Sequence, residues 1–190
     1  MAGYPGLSDI TSVWPQTIPL SDVVRRRPDD PYRRRLVADE AARKVIAEAL
    51  DITALDRLEA DLEIRGWFDG VTIDGRWNAS IEQICGVTLD PFPTALAGDF
   101  TLRAVPAGSV HAPDPAEEVV IDLEADDPPD VLESDLIDLG AYVVEHLALE
   151  IDPFPRKPDA TFEPPEPTVE TSPFAVLRGL RPKDPPANDS

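Results

Sequence analysis

From Leu58 to Ile64 every second residue is apolar (Leu58, Ala60, Leu62, Ile64), and every residue between them is charged (Glu59, Asp61, Glu63). A period of two belongs to a strand with one face in a core and the other in water. A second alternation follows, with Val71, Ile73, Trp77, Ala79 and Ile81 set against Thr72, Asp74, Arg76, Ser80 and Glu82. Between the two, Asp69-Gly70 is a dipeptide that supplies the positive φ a tight turn demands. The spacing predicts an antiparallel hairpin, with Gly75 marking a bulge and with Trp67 and Trp77 explained by core packing. A lone hairpin is marginal in water, so further strands are required. Leu96, Phe100, Leu102 and Ala104, alternating with Asp99, Thr101 and Arg103, supply one, and Val119 to Leu123 is a candidate for the last.

Elsewhere the period changes. Residues 37–50, VADEAARKVIAEAL, carry Val37, Ala41, Ala42, Val45, Ile46 and Ala49 near i, i+4 spacing, and Asp39 and Glu40 at the start suit a helix dipole. A second helix is predicted from a cap at Asp138 through Leu149, with Leu139, Tyr142, Val143 and Leu147 on its apolar stripe. Thr17 to Val24 reads as a short extended piece broken by Pro19. Residues 25–35, RRRPDDPYRRR, read as a loop or arm because of their two prolines and dense charge, and residues 124–135 as an acidic connector, partly disordered around 126–135. Ten of the 22 prolines lie after Asp152, and rings without an N–H sustain neither helix nor ladder. The expected architecture is therefore α+β: a single domain over residues 1–152 with an antiparallel sheet of about four to six strands and two main helices. A Pro-rich flexible tail over 153–190 follows, with a short helical motif at 173–180.

Charge narrows the function. The formal net charge is −20 and the sequence pI is near 4.2, which repels phosphate backbones at long range and argues against a general nucleic-acid binder. The charge is segregated: residues 1–50 carry +1, 51–113 carry −6, 114–152 carry −14 and 153–190 carry −1. No Lys or Arg lies between Arg103 and Arg156. The single cysteine, Cys85, excludes an intramolecular disulfide and fits a reducing compartment. The first residues show no basic start and apolar run of a secretory signal, and no stretch approaches the roughly 20 apolar residues of a membrane span. A cytoplasmic protein without a membrane partner is expected.

The chemistry-bearing motifs are missing. There is no Walker loop, no GxGxxG after a strand, no GxSxG elbow, and no HExxH or Cys–His spacing. His111 in a Pro-flanked loop and His146 beside the second apolar stripe read as ordinary surface or boundary residues. Carboxylates are so abundant that pairs of them say nothing about acid–base work. No catalytic residue, metal ligand or cofactor is nominated, and a non-enzymatic role is expected.

Four stretches, taken in order, carry a resemblance: IEQICGVTLDPF (81–92), DLEADDPPDVLESDLIDLG (122–140), IDLGAYVVEHLALEIDPFPRKPDA (137–160) and SPFAVLRGLRPK (172–183). Together they resemble the YceD family, the large ribosomal RNA subunit accumulation proteins, in its alphaproteobacterial form. The resemblance implies a role in accumulating large-subunit rRNA, with members often encoded beside a large-subunit ribosomal protein, and no known reaction. Many relatives carry a second cysteine next to the one matching Cys85; here the sequence reads QICGV. One cysteine without clustered histidines does not make a tetrahedral zinc site. Cys85 is read instead as a small buried residue at a strand end, with no adjacent cation to lower its pKa.

Three candidate binding segments follow from this reading. Arg25, Arg26, Arg27, Arg33, Arg34 and Arg35 would meet phosphates, with Tyr32 stacking on a base of rRNA; the alternative is that they neutralise the chain's own acidic segments. Asp126, Asp127, Asp130, Glu133 and Asp135 would dock a basic ribosomal or assembly protein. Phe174, Val176, Leu177 and Leu180 would anchor in a partner's groove, or fold back on the sheet. The leading expectation is a factor for large-subunit rRNA accumulation that binds such a protein. The other is a direct RNA-binding chaperone working through the arginine arm.

Overall fold

The structure, a computed structural model, describes residues 13–27, 29–113 and 127–162. In chain order its elements are strand β1 (Thr17–Pro19), helix α1 (Leu20–Val24), β2 (Tyr32–Val37), α2 (Glu40–Ala49), β3 (Ala54–Trp67), β4 (Gly70–Ile84), β5 (Pro91–Pro106), β6 (Asp130–Leu132), β7 (Leu136–Asp138) and α3 (Leu139–Glu150). The two alternating stretches become β3 and β4, the centre of a five-stranded sheet in the order β2, β3, β4, β5, β6. All its pairings are antiparallel except that of β5 with β6. Pro91 and Pro93 are tolerated in β5 because β6 reaches only Ala104–Pro106, leaving the other edge of β5 without a strand there among the described residues. The fold is α+β, as the sequence predicts.

Alternation sends one set of side chains inward. Leu58, Ala60, Leu62 and Ile64 of β3 are buried against Ile73, Trp77, Ala79 and Ile81 of β4. α1 and α2 pack on β3, and α3 packs on β4 and β5. Ile46 of α2 and Leu139, Val143, Val144 and Leu147 of α3 are fully buried, each stabilising by about 2 kcal/mol through area removed from water. The opposite face of β2–β5 remains open and polar.

Gly75 is not at a bulge. It pairs in register with Leu62 and Phe100, while Gly98 pairs with Trp77. A Cβ on Gly75 would run into the Phe100 ring, and one on Gly98 would lie 2.9 Å from the Trp77 indole. Each large ring thus lies across the glycine of the neighbouring strand, and His146 of α3 stacks on Phe100 at 4.0 Å. The register shift falls between Leu55 and Arg57, which turns both Asp56 and Arg57 outward and leaves Leu55 and Leu58 in the core.

The sequence Ile137-Asp138-Leu139-Gly140 is fixed at every position. Ile137 and Leu139 are fully buried. The Asp138 carboxylate accepts from the N–H groups of Gly140 (3.0 Å) and Ala141 (3.2 Å), capping α3 as expected, and also from Gln16 N–H (2.9 Å). Gly140 has no room for a Cβ because the Trp14 carbonyl lies against it. β1 pairs with β7, so the N-terminal strand is locked to this motif.

Other expectations are corrected. Thr17 to Val24 is extended only through Pro19; Leu20–Val24 is helical, and Pro19 stands at its N-cap with φ −67°. The arm is not a loop throughout, because Tyr32–Val37 form the sheet's edge strand. The first main helix begins at Glu40 with Asp39 as its cap, so Val37 belongs to β2, and Ile46 and Ala47 rather than Val45 face the core. The turn is centred on Phe68-Asp69, since Gly70 already pairs with Trp67. Within the acidic connector, 130–132 are strand. Residues 153–157, which their prolines suggest belong to the tail, lie against the domain: Pro155 O accepts from Gly86 N–H at 2.9 Å. The candidate strand at 119–123 and the motif at 173–180 lie outside the described residues.

Candidate functional site

The open face of the sheet carries a row of arginines from β2, β3 and β4. Residues two apart on β2 face the same way, so Arg33 and Arg35 stand outward opposite the carboxylates of β3. Arg33 Nε donates to Glu63 at 2.8 Å and Arg35 to Glu59 at 3.0 Å. Arg57 also bonds Glu59, and this hydrogen bond, aided by the charges of Arg57 and Arg35, holds the Glu59 carboxyl below its usual pKa. Arg65 pairs with Glu63 and with Asp74. A groove of about 600 Å³ crosses this face, lined by arginines of β2, β3 and β4 and by Asp61, Glu63, Asp74 and Asp99. Its cations are matched almost one for one.

The expected RNA-contacting set is therefore only partly brought together. Arg26 pairs with Asp30 at 2.9 Å, and its guanidinium lies over the Tyr32 ring at 5.3 Å. Tyr32 also packs on the core and is only partly exposed. Arg25 sits at the C-cap of α1. Arg25, Arg27 and Arg34 form no ion pair among the described residues.

The acidic residues gather on the other side. β6 places Asp130 beside the end of β5, and α3 runs alongside. Between them lies a groove of about 420 Å³, lined by Asp127, Asp130, Tyr142, Glu145, His146, Leu149 and the stretch Thr101–Arg103 of β5. Burial, and then the Asp130 charge, push the Tyr142 hydroxyl pKa up, so the phenol stays neutral. His146 Nδ1 lies 2.8 Å from the Tyr142 carbonyl, which orients its ring on Phe100. Leu149 is 76% exposed at the groove's edge. Glu133 and Asp135 lie on the exposed 133–135 turn between β6 and β7, with Asp135 O accepting from Leu20 N–H at 2.8 Å. Asp126, Phe174, Val176, Leu177 and Leu180 lie outside the described residues.

Sequence reasoning missed the groove's second wall. Tyr142, Glu145, His146 and Leu149 recur at i, i+3, i+4 and i+7 beside the buried stripe of α3, a legible signal. It also missed an aromatic cluster at the β3–β4 turn, where Trp67, Phe68 and His111 meet. Trp67 is half-buried there and is not a core residue, unlike Trp77.

Cys85 follows β4 and is fully buried, at the strand end as expected. Its surroundings are not those of an inert thiol. Sγ accepts from the N–H groups of Lys157 (3.3 Å), Val87 (3.4 Å) and Thr88 (3.5 Å). Hydrogen bonds from the Thr88 side chain and from these amides lower its pKa to about 6, without any adjacent cation. Among the described residues no group of three or more His, Cys, Asp or Glu is placed to hold a metal.

These features define an α+β domain with an ion-paired open sheet face, an acidic helical face, and an N-terminal strand clamped onto an IDLG-capped helix. The chain belongs to the family described as large ribosomal RNA subunit accumulation protein YceD, whose model matches residues 73–181, more than half of its length. No curated protein and no solved structure matches the chain. No helix among the described residues is long and apolar enough to cross a membrane.

Proposed function

We propose that this protein supports the accumulation of large-subunit rRNA without catalysing a reaction, by docking a basic ribosomal or assembly protein on its acidic α3 face in the cytoplasm. The observation that carries the reading is the groove between α3, β5 and β6. Asp127, Asp130 and Glu145 line it, and Arg103 is the only Lys or Arg among its described lining residues. Complementary charge speeds encounter and disfavours wrong partners. The family's description directs the activity to large-subunit rRNA. Ion pairing of Arg26, Arg33 and Arg35 within the chain favours neutralisation over phosphate binding for the arm. Arg25, Arg27 and Arg34 keep the RNA-chaperone reading as the second.

Affinity isolation from growing cells tests the choice, with co-purifying ribosomal proteins and crosslinked rRNA both quantified. The D127N/D130N/E145Q variant is expected to lose basic protein partners by about tenfold, and R33E/R34E/R35E to retain them. If the arginine variant keeps its protein partners but abolishes rRNA crosslinking, the docking reading is wrong.

A further inference from the structure

We infer that the tip of the β3–β4 hairpin is the anchor of this interface, with the open face of Phe68 receiving a Lys or Arg side chain of the basic partner. The inference rests on the docking reading and adds its point of attachment. Phe68 has φ +52°, a left-handed conformation that glycine or asparagine adopts at less cost. The residue is nevertheless 69% exposed, so burial offsets little of that strain. Strained backbone at an exposed aromatic is a pointer to function.

The ring is also held in place. His111 stacks on one face at 4.1 Å with 20° between the planes, and Trp67 meets its edge at 4.8 Å and 71°. Ser109 Oγ donates to Asp69 Oδ1 at 2.9 Å and accepts from His111 N–H at 3.0 Å, tying the 107–112 loop to the hairpin turn. A side chain pre-set by two elements loses little freedom when a partner arrives.

The chemistry of the cluster selects the partner. The Arg103 guanidinium already lies 5.1 Å over the Trp67 ring, so the cluster accepts a cation on an aromatic face within its own chain. Arg103 also lines the acidic groove, so the same residue borders both the rings and the groove. A basic segment crossing both would meet Asp69 at the tip and Asp127, Asp130 and Glu145 beyond. An RNA strand would bring its phosphates against the same carboxylates.

Calorimetric titration of the full chain with a short Arg- and Lys-rich peptide tests this, with an oligouridylate of equal length as the second probe. Phe68→Asn removes the ring at a φ that asparagine tolerates, so thermal unfolding is expected no earlier than in the parent. Peptide binding is expected to weaken about tenfold in F68N and to be restored in F68W, whose ring is the stronger cation acceptor. Undiminished peptide binding by F68N, with loss in D127N/D130N/E145Q, overturns the anchor and leaves the docking reading intact. No peptide binding by the parent overturns both. Phe68-dependent binding of the oligouridylate overturns the anchor in favour of RNA.

Discussion

At Cys85 the turn after β4 accomplishes what a neighbouring cation does elsewhere. Thr88 and the amides of Lys157, Val87 and Thr88 converge on Sγ, so the folded thiol titrates at about 6, below its ordinary 9.0. Between those values the folded chain binds fewer protons at Cys85 than the unfolded chain does. The stability this thiolate contributes is fully present above about pH 9 and is lost as pH falls through about 6. Denaturant midpoints of the parent and Cys85→Ser, measured across this range, are expected to diverge as pH rises; a constant difference contradicts the assignment. The signal was not legible in Ile84, Gly86 and Val87, because one of the donors comes from Lys157, 72 residues away. The Gly75–Phe100 and Trp77–Gly98 pairs were equally hidden, since each glycine is explained only by the ring of a neighbouring strand.

Among the elements, α3 depends most on a single side chain. Asp138 caps it through two amides and also binds Gln16 N–H, which holds β1 in place. Asp138→Ala is expected to cost about 2 kcal/mol, and Asp138→Asn clearly less, in equilibrium denaturation; equal losses from the two variants contradict the capping role. This cap was legible because Asp precedes an apolar helical period. The central hairpin was legible through strict alternation. β2 was not, since its outward positions, Arg33 and Arg35, pair through charge with β3 and only Tyr32 and Leu36 show the apolar rhythm. β6 and β7 are three residues each, too short for a period, and each is held by one neighbouring strand among the described residues. Half of the candidate groove, Asp127 and Asp130, was visible as charge. Its link to Trp67, Phe68 and His111 was not, because it joins residues distant in sequence.

Across the whole molecule, the family's pattern and the fold divide differently. The matched segment, 73–181, begins within β4, yet β1 to β3 and both earlier helices complete the core on which β4 and α3 rest. The polarity of the surface follows the same division. Arg33, Arg35 and Arg65 are ion-paired on the open sheet face, and Asp127, Asp130 and Glu145 gather in the groove of β5, β6 and α3. That asymmetry underlies the docking account, and cells lacking the gene test it most directly. Their ratio of large- to small-subunit rRNA is expected to fall, and to be restored by the parent chain and by R33E/R34E/R35E but not by D127N/D130N/E145Q. Full restoration by the groove variant, with failure of the arginine variant, contradicts the account.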